Sequence, residues 1–353
     1  MHTLIQLYGS KYEMGCQYGR QARKNLENAY SILYSYLKNR CVPDDKIAKL
    51  IEEFYARVPE EWKSFVEAEA SCAQMDLMQA KALLAMGPLY ALSVERKVLD
   101  GCTFFYIGQD ISENNHAIIG RNYDFHTHPY SEITKDLLIT VLNEPGTTPT
   151  AFISLPGQVY CLTCINQDGI FASINNGMVS GGSITNDANP LVMSNVLTAV
   201  QHSKNIEQLE LKFSAIKPDY SVIVNYANAT NVGSFEFSSI CGAHKASIDQ
   251  NHKFMVSTNF YHDNNWCNFD SKQPVTDHNS WLGITRKQNI ETMIESQTLH
   301  NATFVTSILD AKLEQGGATT DYTIYQIAYD TGLKSLLIKT IHDDVWINIT
   351  LFD

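Results

Sequence analysis

Arginine is scarce in the larger part of this chain. Residues 102–353 hold two, Arg121 and Arg286, against eleven lysines, while the first 101 residues hold five. Charge of any sign is thin, at 18% of residues, and the net charge is −12. Residues 1–101 carry 13 acidic and 13 basic side chains and residues 102–353 carry 25 and 13, so the whole excess (25 − 13 = 12) falls on the second stretch. A basic face for a polyanion is missing, which argues against nucleic acid as a partner. No apolar run is long enough to span a bilayer. Met1 to Gly9 has neither a basic n-region nor a long apolar h-region, so no signal peptide is expected. A cytoplasmic setting is the expectation, although a processed exported chain would look the same. There is no Walker loop, no G-x-G-x-x-G opening a helix and no G-x-S-x-G.

What is present is apolar. With 44% hydrophobic residues, the 353-residue chain can bury a large core as one big domain or two. The eight cysteines (16, 41, 72, 102, 161, 164, 241 and 267) are scattered, unlike those of a small disulfide scaffold, and are expected as reduced thiols. Cys161-Leu-Thr-Cys164 matches C-x-x-C but lies in strand-like sequence rather than at a helix start, so structural thiols are expected. His126 and His128 could share a strand face, yet no further ligand at metal spacing completes a zinc site, and no metal is expected. Asn228-Ala-Thr, Asn301-Ala-Thr and Asn348-Ile-Thr are glycosylation acceptors only in a chain secreted by a eukaryote.

Two grammars follow one another along the chain. Up to about residue 92 the apolar spacing is helical: Leu26, Tyr30, Leu33 and Leu37 within 21–40, then Ile47, Leu50, Ile51 and Phe54 after the Pro43-Asp44-Asp45 break, a third helix from Glu60 and a fourth from Asp76 to about Leu92. No strand is expected there. After Gly101 short β-branched and aromatic runs take over, at 102–107, 116–120, 137–142, 150–155, 169–174 and 221–225, with a final group at 322–330, 335–341 and 345–351. Helical stretches intervene near 191–214, 280–297 and 302–312. Strands in runs and helices in runs favour a layered α+β fold.

The switch falls at Leu99-Asp100-Gly101-Cys102-Thr103. Were the Gly101–Cys102 bond cut, Cys102 would own both a thiol and a free α-amine, whose ordinary pKa of about 7.7–8.0 suits it to act as a general base. Gly101, lacking a Cβ, permits the close approach an N-to-S acyl shift needs. Gly120-Arg121-Asn122-Tyr123-Asp124 closes the second arm of a hairpin begun at Cys102, which would bring Arg121 and Asp124 back beside the thiol. There the carboxylate could hold the amine, and the guanidinium could lower the thiol pKa or bind an acyl carbonyl. Read alone, a Gly-Cys pair is equally a buried small hydrophobe in a strand, and Arg121 with Asp124 equally a surface pair at a turn. The two arginines are either what a lysine-biased composition leaves or positions where lysine cannot serve.

These motifs, with Gly9-Ser10-Lys11-Tyr12-Glu13-Met14-Gly15-Cys16-Gln17-Tyr18-Gly19, Leu155-Pro156-Gly157, Ile165-Asn166-Gln167-Asp168-Gly169-Ile170, Asn175-Asn176-Gly177, Ser257-Thr258-Asn259, Asn279-Ser280 and Arg286 in order, resemble the penicillin acyltransferase family of N-terminal-nucleophile hydrolases. Choloylglycine hydrolases and acid ceramidase are more distant relations. The resemblance implies a four-layer αββα sandwich preceded by a helical segment. Autocatalytic cleavage before Cys102 would leave a helical chain, 1–101, and a catalytic chain, 102–353. It further implies Cys102 as nucleophile with its new α-amine as base, Asp124 orienting that amine, Arg121 lining the pocket, Asn175 and Asn259 donating to an oxyanion, and Arg286 supporting the nucleophile region. Asn176 competes with Asn175. The substrate would be a small acylated linear amide, with no cofactor, and acyl-coenzyme A would enter as co-substrate if the enzyme transfers rather than hydrolyses. The residues leave open which acceptor takes the acyl group. They also leave open an unprocessed relative that binds acylated ligands without turnover, or a papain-like protease, although the papain signature is missing around Cys102.

Overall fold

The computed structural model describes residues 3–93, 101–125, 127–247, 253–263, 265–270 and 272–352. Leu99 and Asp100 of the junction, and His126 of the histidine pair, lie outside the described residues. In chain order the elements are β1 (Thr3–Tyr8), α1 (Lys11–Asn39), α2 (Asp44–Ala56), α3 (Glu60–Ala73), α4 (Leu77–Leu84), α5 (Met86–Leu92), β2 (Cys102–Ile107), β3 (Ile118–Asp124), α6 (Thr127–Ile133), β4 (Leu138–Asn143), β5 (Thr150–Ser154), β6 (Thr163–Asn166) and β7 (Phe171–Asn176). They continue with α7 (Met178–Gly181), α8 (Val192–Gln201), α9 (Ile206–Ser214), β8 (Val222–Ala227), β9 (Val232–Ser238), β10 (Gly242–Lys245), β11 (Phe254–Ser257), α10 (Gly283–Glu295), α11 (Ala302–Asp310), β12 (Thr323–Asp330), β13 (Ser335–Thr340) and β14 (Ile347–Thr350). Among the described residues no helix is long and apolar enough to cross a membrane.

Two compact units share these elements. The first comprises Met1–Val98, His128–Gln167 and Asp187–Ser203. Its strand β1 corrects the expectation of a purely helical opening segment: Thr3–Tyr8 pairs in parallel with Leu138–Asn143 of β4, which continues antiparallel to β5 and then β6. Six residues that start a chain carry little periodicity, and their partner lies over a hundred positions away. Helix α1 starts ten residues earlier than the apolar spacing indicated because Ser10 and Glu13 form a reciprocal capping box. The expected fourth helix breaks at Ala85, and the expected 191–214 helix divides where Asn205 caps α9. Helices α1 and α3 meet at Gly15 and Gly19, where a Cβ would lie 2.2 and 2.3 Å from the carbonyls of Phe65 and Glu69. Trp62 of α3 donates Nε1–H to Thr198 of α8 at 2.9 Å.

The second unit, Leu99–Thr127, Asp168–Asn186 and Lys204–Asp353, is itself four layers deep. Its six-stranded sheet runs β11-β2-β3-β12-β13-β14, antiparallel throughout. On one face, Ile290 and Ile294 of α10 and Val305, Ile308 and Leu309 of α11 pack on Phe105, Ile107, Ile118, Val256 and Ala328. On the other face, Phe104 meets Phe171 of β7 with ring centroids 6.0 Å apart, and Phe171 meets Tyr329 at 6.2 Å. Strands β7-β8-β9-β10 form the third layer. Phe213 of α9 covers it against Tyr226, Phe235 and Phe237. Period-two alternation explains this order, since the central strands of the two inner layers are buried on both faces. The α+β fold with its αββα layering is therefore the one expected.

The reduced state expected of all eight cysteines is corrected. Cys16–Cys72 and Cys241–Cys267 are disulfides, with Cα–Cα distances of 5.1 and 5.6 Å. Partners 56 and 26 residues apart leave no local spacing to read. Disulfides persist in oxidising compartments, so the cysteines lend no support to a cytoplasmic setting.

Glu69 of α3 is fully buried and forms no hydrogen bond among the described residues. Burial pushes its carboxyl up to about 8. A folded-state pKa above the unfolded one favours folding below about 4.5, and that contribution is lost as pH rises through about 8. Thermal midpoints measured from pH 5 to pH 9 should thus fall with rising pH in the wild type, and more weakly in Glu69→Gln; parallel curves would refute the neutral buried carboxyl.

Candidate active site

The hairpin β2–β3 sets Cys102 opposite Tyr123, Thr103 opposite Asn122 and Phe104 opposite Arg121. Alternation then sorts the side chains. Cys102, Phe104, Arg121 and Tyr123 face the neighbouring sheet, whereas Thr103, Phe105, Asn122 and Asp124 face α10 and α11. One end of one hairpin thus carries a thiol and a guanidinium on one side, and a hydroxyl and a carboxylate on the other.

On the inter-sheet side, Arg121 is wholly buried. Its Nη2 lies 3.9 Å from Cys102 Sγ and donates to the Ile174 carbonyl at 2.8 Å, while Nη1 donates to Asn175 Oδ1 at 3.0 Å. Its guanidinium carbon stands 5.7 Å from the Tyr123 ring centroid, a cation–π contact. Asn175 in turn donates Nδ2 hydrogens to the carbonyls of Thr258 at 2.8 Å and Ser257 at 3.3 Å. Both amide hydrogens are committed to backbone, so in this arrangement Asn175 is a strut that ties Arg121 to the end of β11. Asn176 turns the other way and accepts from the Met178 N–H at 2.9 Å.

On the helix side, Arg286 enters from the first turn of α10 and is 1% exposed. Nη1 donates to the Cys102 carbonyl at 2.9 Å and to Thr103 Oγ1 at 2.8 Å, and stands 3.4 Å from Asp124 Oδ2. Nη2 donates to Asn259 Oδ1 at 2.7 Å, and Nε to the Trp281 carbonyl at 3.0 Å. Asn259 Oδ1 also accepts the Cys102 N–H at 2.8 Å, while its Nδ2 donates to the Asn176 carbonyl at 3.1 Å. Asp124 accepts the Thr323 hydroxyl at 2.6 Å, and its own N–H donates to the Gly101 carbonyl at 2.8 Å. A Cβ at Gly101 would fit tightly against Asp124 Oδ2, at 3.2 Å, and in ordinary contact with Arg286 Nη2, at 3.5 Å.

Of the six candidate residues, Arg121, Asp124, Asn259 and Arg286 gather around the Gly101–Cys102 bond, and Asn175 joins them through Arg121, within one compact unit. Burial pushes the Asp124 carboxyl up to about 6, against the pull of Arg286, the Thr323 hydroxyl and Arg121. Burial likewise lowers the Arg286 pKa, opposed by Asp124, Cys102 and Asp277. Thr323 was not legible as a site residue, because its only distinction is its register opposite Asp124 where β12 begins. Among the described residues no group of three or more His, Cys, Asp or Glu is arranged to hold a metal ion.

No family model matches the chain, and no curated protein does. Among solved structures, the Caenorhabditis elegans ortholog of N-acylethanolamine-hydrolyzing acid amidase superposes with a TM-score of 0.48 at 16% identity, covering 65% of this chain and 93% of that one. A mutant of conjugated bile acid hydrolase from Clostridium perfringens gives 0.48 at 10%, covering 71% and 92%. Penicillin V acylase from Agrobacterium tumefaciens gives 0.43 at 12%, covering 71% and 86%. Likenesses this distant do not fix an activity, so the chemistry rests on the residues of this chain.

Asn175→Ala would leave two buried carbonyls and one guanidinium nitrogen without their partner. The expected cost is about 2–4 kcal/mol of folding stability, measured by urea unfolding; a loss below about 1 kcal/mol would contradict the strut.

Proposed function

We propose that this protein is a self-processing cysteine enzyme that cleaves the acyl group from a small linear amide through an acyl-thioester on Cys102. The observation that supports it is the polar hold on both sides of one peptide bond. The Gly101 carbonyl accepts from the Asp124 N–H, the Cys102 N–H is held by Asn259, the Cys102 carbonyl is held by Arg286, and the thiol faces Arg121. Ordinary strands do not surround a cysteine with two buried guanidinium groups, since each would be costly to desolvate for packing alone.

In processing, Cys102 Sγ attacks the Gly101 carbonyl carbon. The C–S bond forms, the C–N bond breaks, and the thiol proton passes to the departing nitrogen. Water then hydrolyses the thioester, leaving the Gly101 carboxylate and a Cys102 that carries both a thiol and an α-amine. In turnover that amine takes the thiol proton as Sγ attacks the substrate amide, and returns it to the leaving amine. Asn259 Oδ1 already sits where the amine hydrogens need an acceptor, and the ionised Asp124 holds Arg286 on the Cys102 carbonyl. Arg121 stabilises the thiolate, and together with Asn259 Nδ2 it is the donor we assign to the oxyanion, with Asn175 as positioning strut instead. Water as acceptor gives hydrolysis. A second amine gives transfer, for which an acyl-coenzyme A would be a fitting acyl donor; neither outcome needs a bound cofactor or metal.

Purified protein should resolve by intact mass into polypeptides of 101 and 252 residues (353 − 101), whereas Cys102→Ala should remain one and lose turnover of an N-acyl amide by about three orders of magnitude. Full turnover in that variant would end the proposal. If the ionised Asp124 is the working form, kcat falls as pH drops through about 6. Thr323→Val removes a hydrogen bond to the carboxylate and should move that acid limb upward in pH; an unmoved limb would assign it to another group.

A further inference from the structure

Asn259 is the one member of the site that sits on irregular chain. Among the described residues no helix or strand occurs between Ser257 and Gly283, so no ladder holds this residue where Cys102 and Arg286 need it. Something else must, because a site tolerates little misplacement of a group this close to the reacting atoms.

The contacts of the following residues converge on Glu236, the inward-facing carboxylate of β9. It is fully buried, yet it accepts the backbone N–H of His262, that of Asp263 at 3.4 Å and the indole N–H of Trp266 at 2.6 Å. The three donors lie three, four and seven residues beyond Asn259. Around this hub, Tyr261 donates its hydroxyl to the Phe237 carbonyl at 2.5 Å, and its ring stacks on Trp266 at 5.5 Å, with His244 also stacked on that indole at 5.0 Å. The Cys241–Cys267 disulfide ties the far end of the same stretch to the chain just before β10. A buried carboxylate receiving three N–H donors from one segment is an expensive way merely to cover a sheet end, where apolar side chains would serve. It is an effective way to fix an irregular backbone in place, since a carboxylate offers several acceptor directions at once.

We propose that Glu236, with the Cys241–Cys267 disulfide behind it, is a positioning residue for the Cys102 centre that acts by holding the 259–267 segment so that Asn259 keeps its place against Cys102 and Arg286. This rests on the reading of Cys102 as nucleophile. Glu236 touches none of the reacting atoms and works through Asn259, so its loss should slow the chemical step and spare substrate affinity.

Fluorogenic N-acyl aminocoumarins of short, aryl and long acyl chain serve as probes for the full-length protein, and the fraction of chain cut before Cys102 is followed in parallel. Glu236→Gln should lower kcat by about tenfold or more with KM changed less than about threefold, and should slow self-cleavage. In an Asn259→Ala background the same substitution should have almost no further effect, because both act through one group. Trp266→Phe keeps an aromatic ring and deletes one of the three donors; it should lower kcat in the same sense by a smaller factor, and it decides the matter if Glu236→Gln does not fold. Wild-type kcat in either folded variant, or losses that multiply in the double variant, would overturn the proposal. Full turnover by Cys102→Ala, run alongside, would instead overturn the nucleophile reading on which it rests.

Discussion

The buried guanidinium of Arg286 is the tie on which the rest of the site depends. Taking such a charge out of water is unfavourable unless its donors find acceptors. Here they find the Trp281 and Cys102 carbonyls, Thr103 Oγ1, Asn259 Oδ1 and the Asp124 carboxylate. Those acceptors belong to four separate stretches of chain, so one side chain closes β2, β3, the 259 segment and the start of α10 around a single point. The backbone is bent to allow it. Trp281 and Leu282 both take left-handed φ values, 58° and 56°, which non-glycine residues rarely adopt. That turn aims the Trp281 carbonyl at Arg286 Nε. A lysine could not replace this residue, since a point charge with three donors cannot serve five acceptors spread along a planar fork.

Arg121 meets the same demand from the opposite face of the hairpin, and the pair explains how an acidic chain keeps a cationic centre. The net charge is −12, yet the only two arginines among residues 102–353 are both interior. Buried as they are, these two cations act on Asp124 and Cys102 more strongly than a surface charge would. Even so, desolvation of Asp124 outweighs their pull, and the carboxyl rests near 6 rather than below its ordinary value. The site therefore sits where a modest change of pH alters its charge.

Much of this was legible in the sequence because it is local. Period-two alternation from Cys102 and from Ile118 is enough to return Arg121 to the thiol's side of the hairpin, whereas Asp124, expected beside the thiol too, falls on the opposite side, toward Arg286. The rarity of arginine marked Arg121 and Arg286 as unusual before any geometry was known. Other features depend on partners that no local pattern names. The opening strand is defined by β4, over a hundred residues on, and both disulfides by distant cysteines. Glu236 reads as one ordinary acidic residue in a strand, and only the fold reveals three donors around it. Asn175 illustrates a different limit: the family resemblance named it, with Asn176 competing, as an oxyanion donor, but which way its amide hydrogens point is decided by the carbonyls of Ser257 and Thr258.

The disulfides and the Cys102 thiol place opposite demands on one chain. A setting in which Cys16–Cys72 and Cys241–Cys267 persist is one in which any accessible thiolate is at risk of exchange, and a neighbouring guanidinium favours the thiolate form. Exchange requires the sulfur to approach another sulfur in line, so access limits it as much as reactivity does. Cys102 is 2% exposed, packed between two sheets, with Arg121 as its charged neighbour. The burial that raises the Asp124 carboxyl thus also shields the thiol.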